Sequence, residues 1–218
     1  VGSSHCLPKD RLASDFLGCP FPMIAGKHKG AGMLLYPAQV AEVLAPIAEY
    51  PEIQFSLKMR LGWGNASECM VLVELLNAIR LSRIALHART GKQQYKGHPD
   101  LEAFQGFYEL CQHPLYYNGG IESLSDIRQI LIRFPLLKGV FIGRGLLSSP
   151  LLAKEFKGNE TFLPEQRMSI YFAFHEELFS AYSQVLQGET QLLVKMKTLW
   201  EYFLPETDRK LLKRIKKS

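Results

Sequence analysis

The sequence predicts an α/β fold: the C-terminal half of a (β/α)8 barrel of the TIM-barrel type, followed by a small all-helical domain. Up to about residue 157, short apolar runs alternate with stretches of helical periodicity. The runs recur every 25 to 31 residues, which is the spacing of a βαβ unit. The polar residues at their ends are Lys58, His87, Asn118 and Gly143.

The predicted barrel part spans residues 1–157, and the predicted helical domain spans residues 158–218. A complete barrel has eight strands in about 250 residues. This sequence shows four clear strands and a less regular one at residues 14–17. We therefore expect the first three strands to be missing, because the chain is a fragment of a longer product or comes from a truncated gene.

Composition indicates a soluble globular protein, with 47% hydrophobic and 22% charged residues. No stretch approaches the roughly 18 apolar residues of a membrane span. The four cysteines, Cys6, Cys19, Cys69 and Cys111, form no CxxC pair, which argues against a zinc site. We expect a cytoplasmic, monomeric protein without a metal, and the net charge of +5 is compatible with a polyanionic partner.

The first predicted elements surround a Gly–Cys–Pro break. Residues 14–17 form a predicted strand, which the break at residues 18–20 ends. Residues 22–32 are rich in Gly and Lys and are predicted to form a loop. Pro37 then starts a helix that runs to about residue 48, because proline favours the first helical turn and apolar residues follow at helical spacing.

The predicted strand at residues 53–59 carries charge on one face. Alternation puts Phe55 and Leu57 on one side of the strand, and Lys58 and Arg60 on the other. Two basic residues on one face are unusual in a packed barrel. Lys58 and Arg60 are therefore candidates for function.

The remaining barrel elements keep the alternation of helix and strand. Ser123 is a predicted N-cap, because its hydroxyl can accept a hydrogen bond from the first turn of the helix that follows. The other predicted helices are 68–79 and 101–111, and the other predicted strands are 83–86, 115–117 and 139–142.

Two successive strand ends carry small residues, Asn118-Gly119-Gly120 and Gly143-Arg144-Gly145. The loops after the last two strands of a (β/α)8 barrel commonly bind a phosphate. Glycine lets backbone N–H groups approach the anion, and an arginine adds a guanidinium fork. Either turn alone is better explained as an ordinary βα connection, but the two in succession favour a phosphate site.

The chain after residue 158 is predicted to be helical throughout. Residues 158–164 form a linker, and aromatic and aliphatic residues then recur at helical spacing, beginning with Met168, Tyr171 and Phe172. The last ten residues, RKLLKRIKKS, carry six cations and no acid. They are equally well explained as a solvated helix end that complements the helix dipole and as an RNA contact.

Five motifs follow one another along the chain: GCP (18–20), KMRLG (58–62), HARTGKQQYKG (87–97), NGGI (118–121) and IGRGLLSSP (142–150). In this order and spacing they closely resemble the tRNA-dihydrouridine synthases, from about residue 18 to the C-terminus. The resemblance implies a flavin enzyme with a (β/α)8 barrel and a helical RNA-binding domain. The implied reaction reduces the C5=C6 bond of uracil in tRNA, with FMN as cofactor and NADPH as reductant.

The resemblance also implies roles for individual residues. Cys19 resembles the catalytic cysteine, which protonates C5 of the uracil while the flavin passes a hydride to C6. Lys58 resembles the lysine that contacts the flavin ring, and His87 resembles the histidine that contacts FMN. The residues that resemble the FMN phosphate cradle are Asn118, Gly119, Gly120, Gly143 and Arg144.

The resemblance implies RNA contacts in both predicted domains. Arg60 and Arg89 resemble family arginines near the flavin and the entering RNA. Lys195 and Lys197 lie in the helical domain, where the family binds tRNA. A stacked uridine must be extruded before it can react, and we expect residues 22–32 to line its entrance.

Two departures from the family pattern keep other hypotheses open. Phe16 stands where the family usually has Asn, and the missing strands include flavin contacts. One alternative is an FMN-barrel oxidoreductase acting on a small molecule, since dihydroorotate dehydrogenases share the phosphate cradle. The other is a non-enzymatic RNA-binding remnant. Tyr95 either stacks on a base or caps its loop, and the sequence does not decide between these roles.

Overall fold

The computed structural model describes residues 12–204, 210 and 212–214, with side chains from residue 17 onward. Cys6, the side chain of Phe16 and most of the basic C-terminal segment lie outside this described part. The described residues fall into two compact units. The first contains residues up to Gly120 together with Arg128–Phe141, and the second contains Ile121–Ile127 together with the residues from Ile142 onward.

A five-stranded parallel sheet forms the centre of the first unit, and its strands follow one another in chain order. Helices connect the successive strands, so the sheet is built from βαβ units. This arrangement confirms the prediction of a partial (β/α)8 barrel, including its least regular strand. The strands are β1 (Leu12–Leu17), β2 (Gln54–Gly62), β3 (Arg83–Thr90), β4 (Leu115–Asn118) and β5 (Gly139–Phe141).

Strands β2 and β3 extend further than predicted. β2 ends at Gly62 rather than near residue 59, and β3 ends at Thr90 rather than near residue 86. The prediction ends each strand near its charged residues, yet Arg60 and Arg89 lie inside the strands and are buried. Their guanidinium groups remain hydrogen-bonded to main-chain carbonyls, which makes their burial possible.

Nine α-helices occur among the described residues. Their bounds are α1 (Pro22–Ala25), α2 (Pro37–Leu44), α3 (Glu68–Asn77), α4 (Leu101–Leu110), α5 (Leu124–Arg133), α6 (Arg144–Ser148), α7 (Leu152–Gly158), α8 (Pro164–Val185) and α9 (Glu189–Leu199). No described helix combines the length and the apolar character that crossing a membrane requires.

Two helical predictions need correction. The segment 22–32 is not a plain loop, because it contains α1 and the start of a 3-10 helix at Gly30–Leu35. The helix from Pro37 ends as an α-helix at Leu44 and continues as a 3-10 helix over Ala45–Glu49. Pro46 explains the change, because it lacks the N–H group that a continuing α-helix would use.

Side-chain caps fix the start of two helices. Ser123 and Asp126 bond reciprocally at α5: the Ser123 hydroxyl accepts from the Asp126 amide at 3.1 Å, and the Asp126 carboxylate accepts from the Ser123 amide at 2.8 Å. This confirms the predicted cap. At α4, Asp100 accepts a hydrogen bond from the amide of Ala103 at 2.9 Å.

The core of the first unit lies between the sheet and its helices. Phe104 of α4 is fully buried, and its ring centroid lies 5.0 Å from those of both Tyr117 and Phe134 in edge-to-face geometry. Leu57 and Met59 of β2 and Leu86 of β3 are almost entirely buried in this unit. Burial of this kind holds the strands in register and so places their carboxyl ends at one edge.

The second unit has its own small core. The buried residues of this core are Leu151, Tyr171, Met196, Leu199 and Phe203. Of the predicted apolar residues Met168, Tyr171 and Phe172 of α8, only Tyr171 is buried, whereas Met168 and Phe172 are exposed. The buried carboxylate of Glu155 is paired with Arg167, which compensates its charge.

Candidate active site

The strand register aligns several predicted residues at the carboxyl edge of the sheet. Arg60 pairs with His87, His87 pairs with Asn118, and Asn118 pairs with Phe141. Lys58 lies two residues earlier on β2, on the level of Ala85. Because parallel strands present their carboxyl ends together, Lys58, Arg60, His87 and Asn118 share one edge, where ligands bind in open and closed α/β sheets.

An irregularity in β3 shapes this edge. Arg60 pairs with His87, but Gly62 pairs with Thr90, so β3 contains one residue more than β2 over this interval. Such a bulge re-aims side chains and is common beside active sites. Here it accompanies a contact between His87 and Arg89, which lie two residues apart on β3.

His87 and Arg89 are both buried and form a pair. Nη1 of Arg89 lies 3.2 Å from Nε2 of His87, and Nη2 of Arg89 donates to the carbonyl of Gly97 at 3.0 Å. A guanidinium group can only donate, so Nε2 of His87 must be the acceptor. The contact thus fits the tautomer of His87 that carries its proton on Nδ1.

Arg60 is almost completely enclosed, with 1% of its surface exposed. Its Nε donates to the carbonyl of Gly18 at 3.1 Å. Its Nη1 donates to the carbonyls of Thr90 at 2.9 Å and Gln94 at 2.7 Å. One side chain thus connects the segment that follows β1 with the segment that follows β3.

The ring of Tyr95 lies over the Arg60 guanidinium, with 5.3 Å between the guanidinium carbon and the ring centroid. The same ring is 6.3 Å from the imidazole of His87, and Tyr95 is 51% exposed. The contact with Arg60 shows that Tyr95 covers the buried cation. Its exposed surface leaves area on which a planar group could stack.

Positive charge accumulates at this edge. Burial lowers the pKa of Lys58, and the neighbouring Arg60 lowers it further. Burial likewise lowers the pKa of Arg60, partly opposed by Tyr95. Among the described residues, neither Lys58 nor Arg60 forms an ion pair with a carboxylate. A partly buried cation pair of this kind is suited to an anionic or electron-rich ligand.

Cys19 lies directly after β1 in a turn packed against the following helical segment. Its thiol is free and partly buried, and its carbonyl accepts a hydrogen bond from the amide of Ala31 at 3.0 Å. Cys69 differs, because burial raises the pKa of its thiol to about 12. Burial also raises the pKa of Cys111. Cys69 lies in the first turn of α3, whereas Cys111 follows α4 at the opposite end of the sheet from the carboxyl edge.

The first predicted phosphate turn, Asn118-Gly119-Gly120, is held by both neighbouring strands. Nδ2 of Asn118 donates to the carbonyl of Phe141 at 2.7 Å, which joins the ends of β4 and β5. Gly119 has φ +135°, and a Cβ there would lie 3.2 Å from the imidazole of His87. The close approach to His87 therefore requires a residue without a side chain.

The second predicted phosphate turn belongs to the second unit. Gly143 precedes α6, and no atom lies within 4 Å of the position that a Cβ would occupy. Arg144 is the first residue of α6 and is partly buried. Lys195 and Lys197 are on α9, with Lys195 exposed. The structure thus brings together the predicted residues of the first unit and leaves these four in the second.

Glu68 is a residue of this region that sequence reasoning missed. Its carboxylate accepts hydrogen bonds from the backbone amides of Trp63, Gly64 and Asn65, the loop that follows β2. The loop also bonds to the next one, since the amide of Gly91 donates to the carbonyl of Gly62. Asn65 followed three residues later by Glu68 is a helix-start pattern, and that spacing could have identified the contact.

No group of three or more His, Cys, Asp or Glu side chains suited to a metal ion occurs in the described part of the chain. The carboxyl edge carries a thiol, an imidazole and several cations. This set can donate a proton and bind a negatively charged group.

Comparison with known proteins adds an independent finding. The family model described as dihydrouridine synthase (Dus) matches residues 16–216. "tRNA-dihydrouridine synthase B" of Vibrio vulnificus (strain CMCP6) is 26% identical over 153 residues, which cover 68% of this chain and 47% of that protein. "tRNA-dihydrouridine(16) synthase" of Haemophilus ducreyi (strain 35000HP / ATCC 700724) is 30% identical over 145 residues, which cover 65% and 44% respectively.

A third relative has a higher identity to this chain than these two. "Probable tRNA-dihydrouridine synthase" of Aquifex aeolicus (strain VF5) is 33% identical over 154 residues, which cover 67% of this chain and 48% of that protein. The chain therefore spans about half the length of the curated relatives that it matches.

Proposed function

This chain belongs to the dihydrouridine synthase family, and we propose that it takes part in the flavin-dependent reduction of uridines in tRNA to 5,6-dihydrouridine. The observation that carries the proposal is the cation pair at the carboxyl edge of the sheet. Lys58 and Arg60 lie there with no carboxylate partner among the described residues, beside a strand-end cysteine. The names of the relatives support tRNA as the substrate.

The residues at this edge fit FMN as the cofactor. Lys58 would approach the flavin ring, and its unpaired, partly buried charge suits a group that becomes negative on reduction. By residue chemistry, the small residues of the turn at Asn118 suit a phosphate, and in the second unit so do the open space in front of Gly143 and the guanidinium of Arg144. When bound, FMN supplies the hydride for C6 of the uracil, and NADPH is the proposed reductant.

The residues of the chain have separate tasks in this proposal. Cys19 donates the thiol proton to C5, which completes the two-electron reduction of the C5=C6 bond. A thiol suits this step because the reference pKa of the cysteine side chain, about 8.5, leaves a thiol mostly protonated at neutral pH. His87, whose imidazole is contacted by Arg89, would hydrogen-bond to the cofactor.

The proposed RNA contacts are electrostatic. Lys195 and Lys197 on α9 would contact phosphate groups, and Arg89 and the 22–32 segment would lie near the extruded uridine. The burial of Arg60 favours a different role for that side chain. In this proposal the protein acts as a monomer in the cytoplasm.

The first experiment is a visible absorption spectrum of the purified 218-residue chain, followed by assay of dihydrouridine in unmodified tRNA with NADPH. We predict that Cys19→Ala keeps the flavin spectrum of the parent and loses most dihydrouridine formation, by a factor of about 10² or more. Cys111→Ala is the matched control, because it removes a partly buried thiol away from the carboxyl edge.

Each result has a definite meaning. Equal turnover in Cys19→Ala and the parent would remove Cys19 from the mechanism. A yellow protein that reduces a small pyrimidine but not tRNA would favour the small-molecule oxidoreductase. A colourless protein that binds tRNA would favour the RNA-binding remnant.

A further inference from the structure

Arg60 has a bonding pattern that joins main-chain segments distant in the sequence. It is 1% exposed, and three of its hydrogen bonds go to main-chain carbonyls. One accepting residue, Gly18, directly precedes Cys19 in the chain. The other two, Thr90 and Gln94, are the last residue of β3 and a residue of the loop that carries Tyr95.

The geometry of these bonds requires a guanidinium group. Arginine presents five N–H donors in a rigid plane, whereas lysine presents a single ammonium on a flexible stem. The carbonyls of Gly18 and Gln94 belong to segments 42 and 34 residues away from Arg60 in the chain. A lysine at this position could keep the charge, but it could not satisfy acceptors on both sides at once.

The contacts of Arg60 connect the turn at Gly18 with the loop that carries Tyr95. Tyr95 covers the guanidinium from the solvent side, and Gln94 immediately precedes Tyr95. The turn at Gly18 has a second attachment, because the carbonyl of Cys19 accepts from the amide of Ala31. Cys19 is therefore fixed through main-chain groups on both sides, with Arg60 supplying the bond on the N-terminal side.

We infer that Arg60 is a positioning residue: it holds the Cys19 turn against the β3 loop, so that the thiol and Tyr95 keep a fixed relation to each other. The placement of Cys19 by Arg60 follows from these contacts alone. Only the use of the Cys19 thiol as a proton donor rests on the proposed function. Arg60 acts on the Cys19 turn through the carbonyl of Gly18.

The first test measures the accessibility of Cys19 in the full chain. Wild type and Arg60→Lys are treated with iodoacetamide under native conditions, and labelling of each cysteine is followed by peptide mass spectrometry. Arg60→Lys keeps the positive charge, so a change in the Cys19 rate reports the lost carbonyl bonds. We expect Cys19 labelling to accelerate by about threefold or more, with Cys69 and Cys111 unchanged.

Arg80→Lys is the matched control. Arg80 also donates to a main-chain carbonyl, that of Pro51 at 3.3 Å, but it is exposed and lies before β3. The same exchange at Arg80 should leave Cys19 labelling at the wild-type rate. Equal Cys19 labelling in Arg60→Lys and wild type would overturn the inference. A parallel rise at Cys69 and Cys111 would also overturn it, because it would show a general loosening of the fold.

The second test separates positioning from RNA contact. In the tRNA reduction assay, a positioning role predicts that Arg60→Lys lowers kcat by about tenfold or more while the KM for tRNA stays within about twofold. A raised KM with unchanged kcat would overturn the inference in favour of an RNA contact. If the wild-type chain itself gives no turnover, the proposed function fails, whereas the labelling result still decides the role of Arg60.

Discussion

Lys58 and Arg60 are neighbours on one face of β2, yet their environments differ. Arg60 keeps its charge inside the fold because three carbonyls accept its hydrogen bonds. Lys58 has no carboxylate partner among the described residues, and burial followed by the repulsion of Arg60 lowers its pKa. An unpaired cation of this kind costs stability, which is typical of a residue kept for function.

We therefore predict that Lys58→Met stabilises the chain, by roughly 1 kcal/mol in urea unfolding at pH 7. The pKa of Lys58 is lower in the folded than in the unfolded state, so wild-type stability gains from this site as pH rises from the folded pKa towards 10.5. The advantage of Lys58→Met should shrink over that range. The exposed Lys138→Met is the control, and equal stability of wild type and Lys58→Met would contradict the prediction.

The two glycines of the predicted phosphate turns should respond differently to alanine. Gly119→Ala places a Cβ at φ +135° and 3.2 Å from His87, so we predict a loss of about 1 kcal/mol or more in stability. Gly143→Ala meets nothing within 4 Å and should leave stability within about 0.5 kcal/mol. If Gly143 approaches the phosphate, its alanine variant should retain less FMN after dialysis. Thermal unfolding of both variants and their flavin content check the pair.

At the scale of elements, apolar periodicity predicted the strand order and most helices, because burial of one face is a local property of the sequence. The bounds were less accurate where tertiary contacts decide them. β2 and β3 run past Arg60 and Arg89, since carbonyls from distant segments accept their hydrogen bonds. No local pattern contains that information. The small core around Tyr171 was likewise only partly predictable, because Phe172 shares its helix and its apolar character yet is exposed.

The start of α4 provides a test at this scale. Asp100 accepts from the amide of Ala103 and satisfies a donor that the helix itself leaves unpaired. We predict that Asp100→Ala lowers the free energy of unfolding by about 1 kcal/mol. Asp100→Asn retains a side-chain oxygen and should cost much less, so it is the matched control. Equal losses in the two variants, measured by urea unfolding, would show that the cap does not stabilise the helix.

For the whole molecule, the candidate site could be predicted from motifs only as a set of residues. The structure adds that Lys58, Arg60, His87 and Asn118 share one edge of the first unit, through the strand register. It also describes Gly143, Arg144 and the α9 lysines within the second unit. Roles that depend on contacts with a cofactor or RNA follow from residue chemistry and family membership, and they stay predictions until they are measured.

The net charge of +5 and the lysines of α9 predict that tRNA binding depends on salt concentration. If Lys195 and Lys197 contact tRNA phosphates, each neutralised phosphate releases counterions, and the affinity falls with salt. Lys195→Ala combined with Lys197→Ala should then weaken tRNA binding and reduce the slope of log K against log salt by about 2.

The control for this experiment must remove the same charge elsewhere. Lys138→Ala alone is therefore compared with each single α9 variant. Lys138 is exposed at the residue before β5, opposite the carboxyl edge of the sheet, so its loss should leave the slope unchanged. Equal slopes for Lys195→Ala, Lys197→Ala and Lys138→Ala would mean that net charge, not α9, governs tRNA binding.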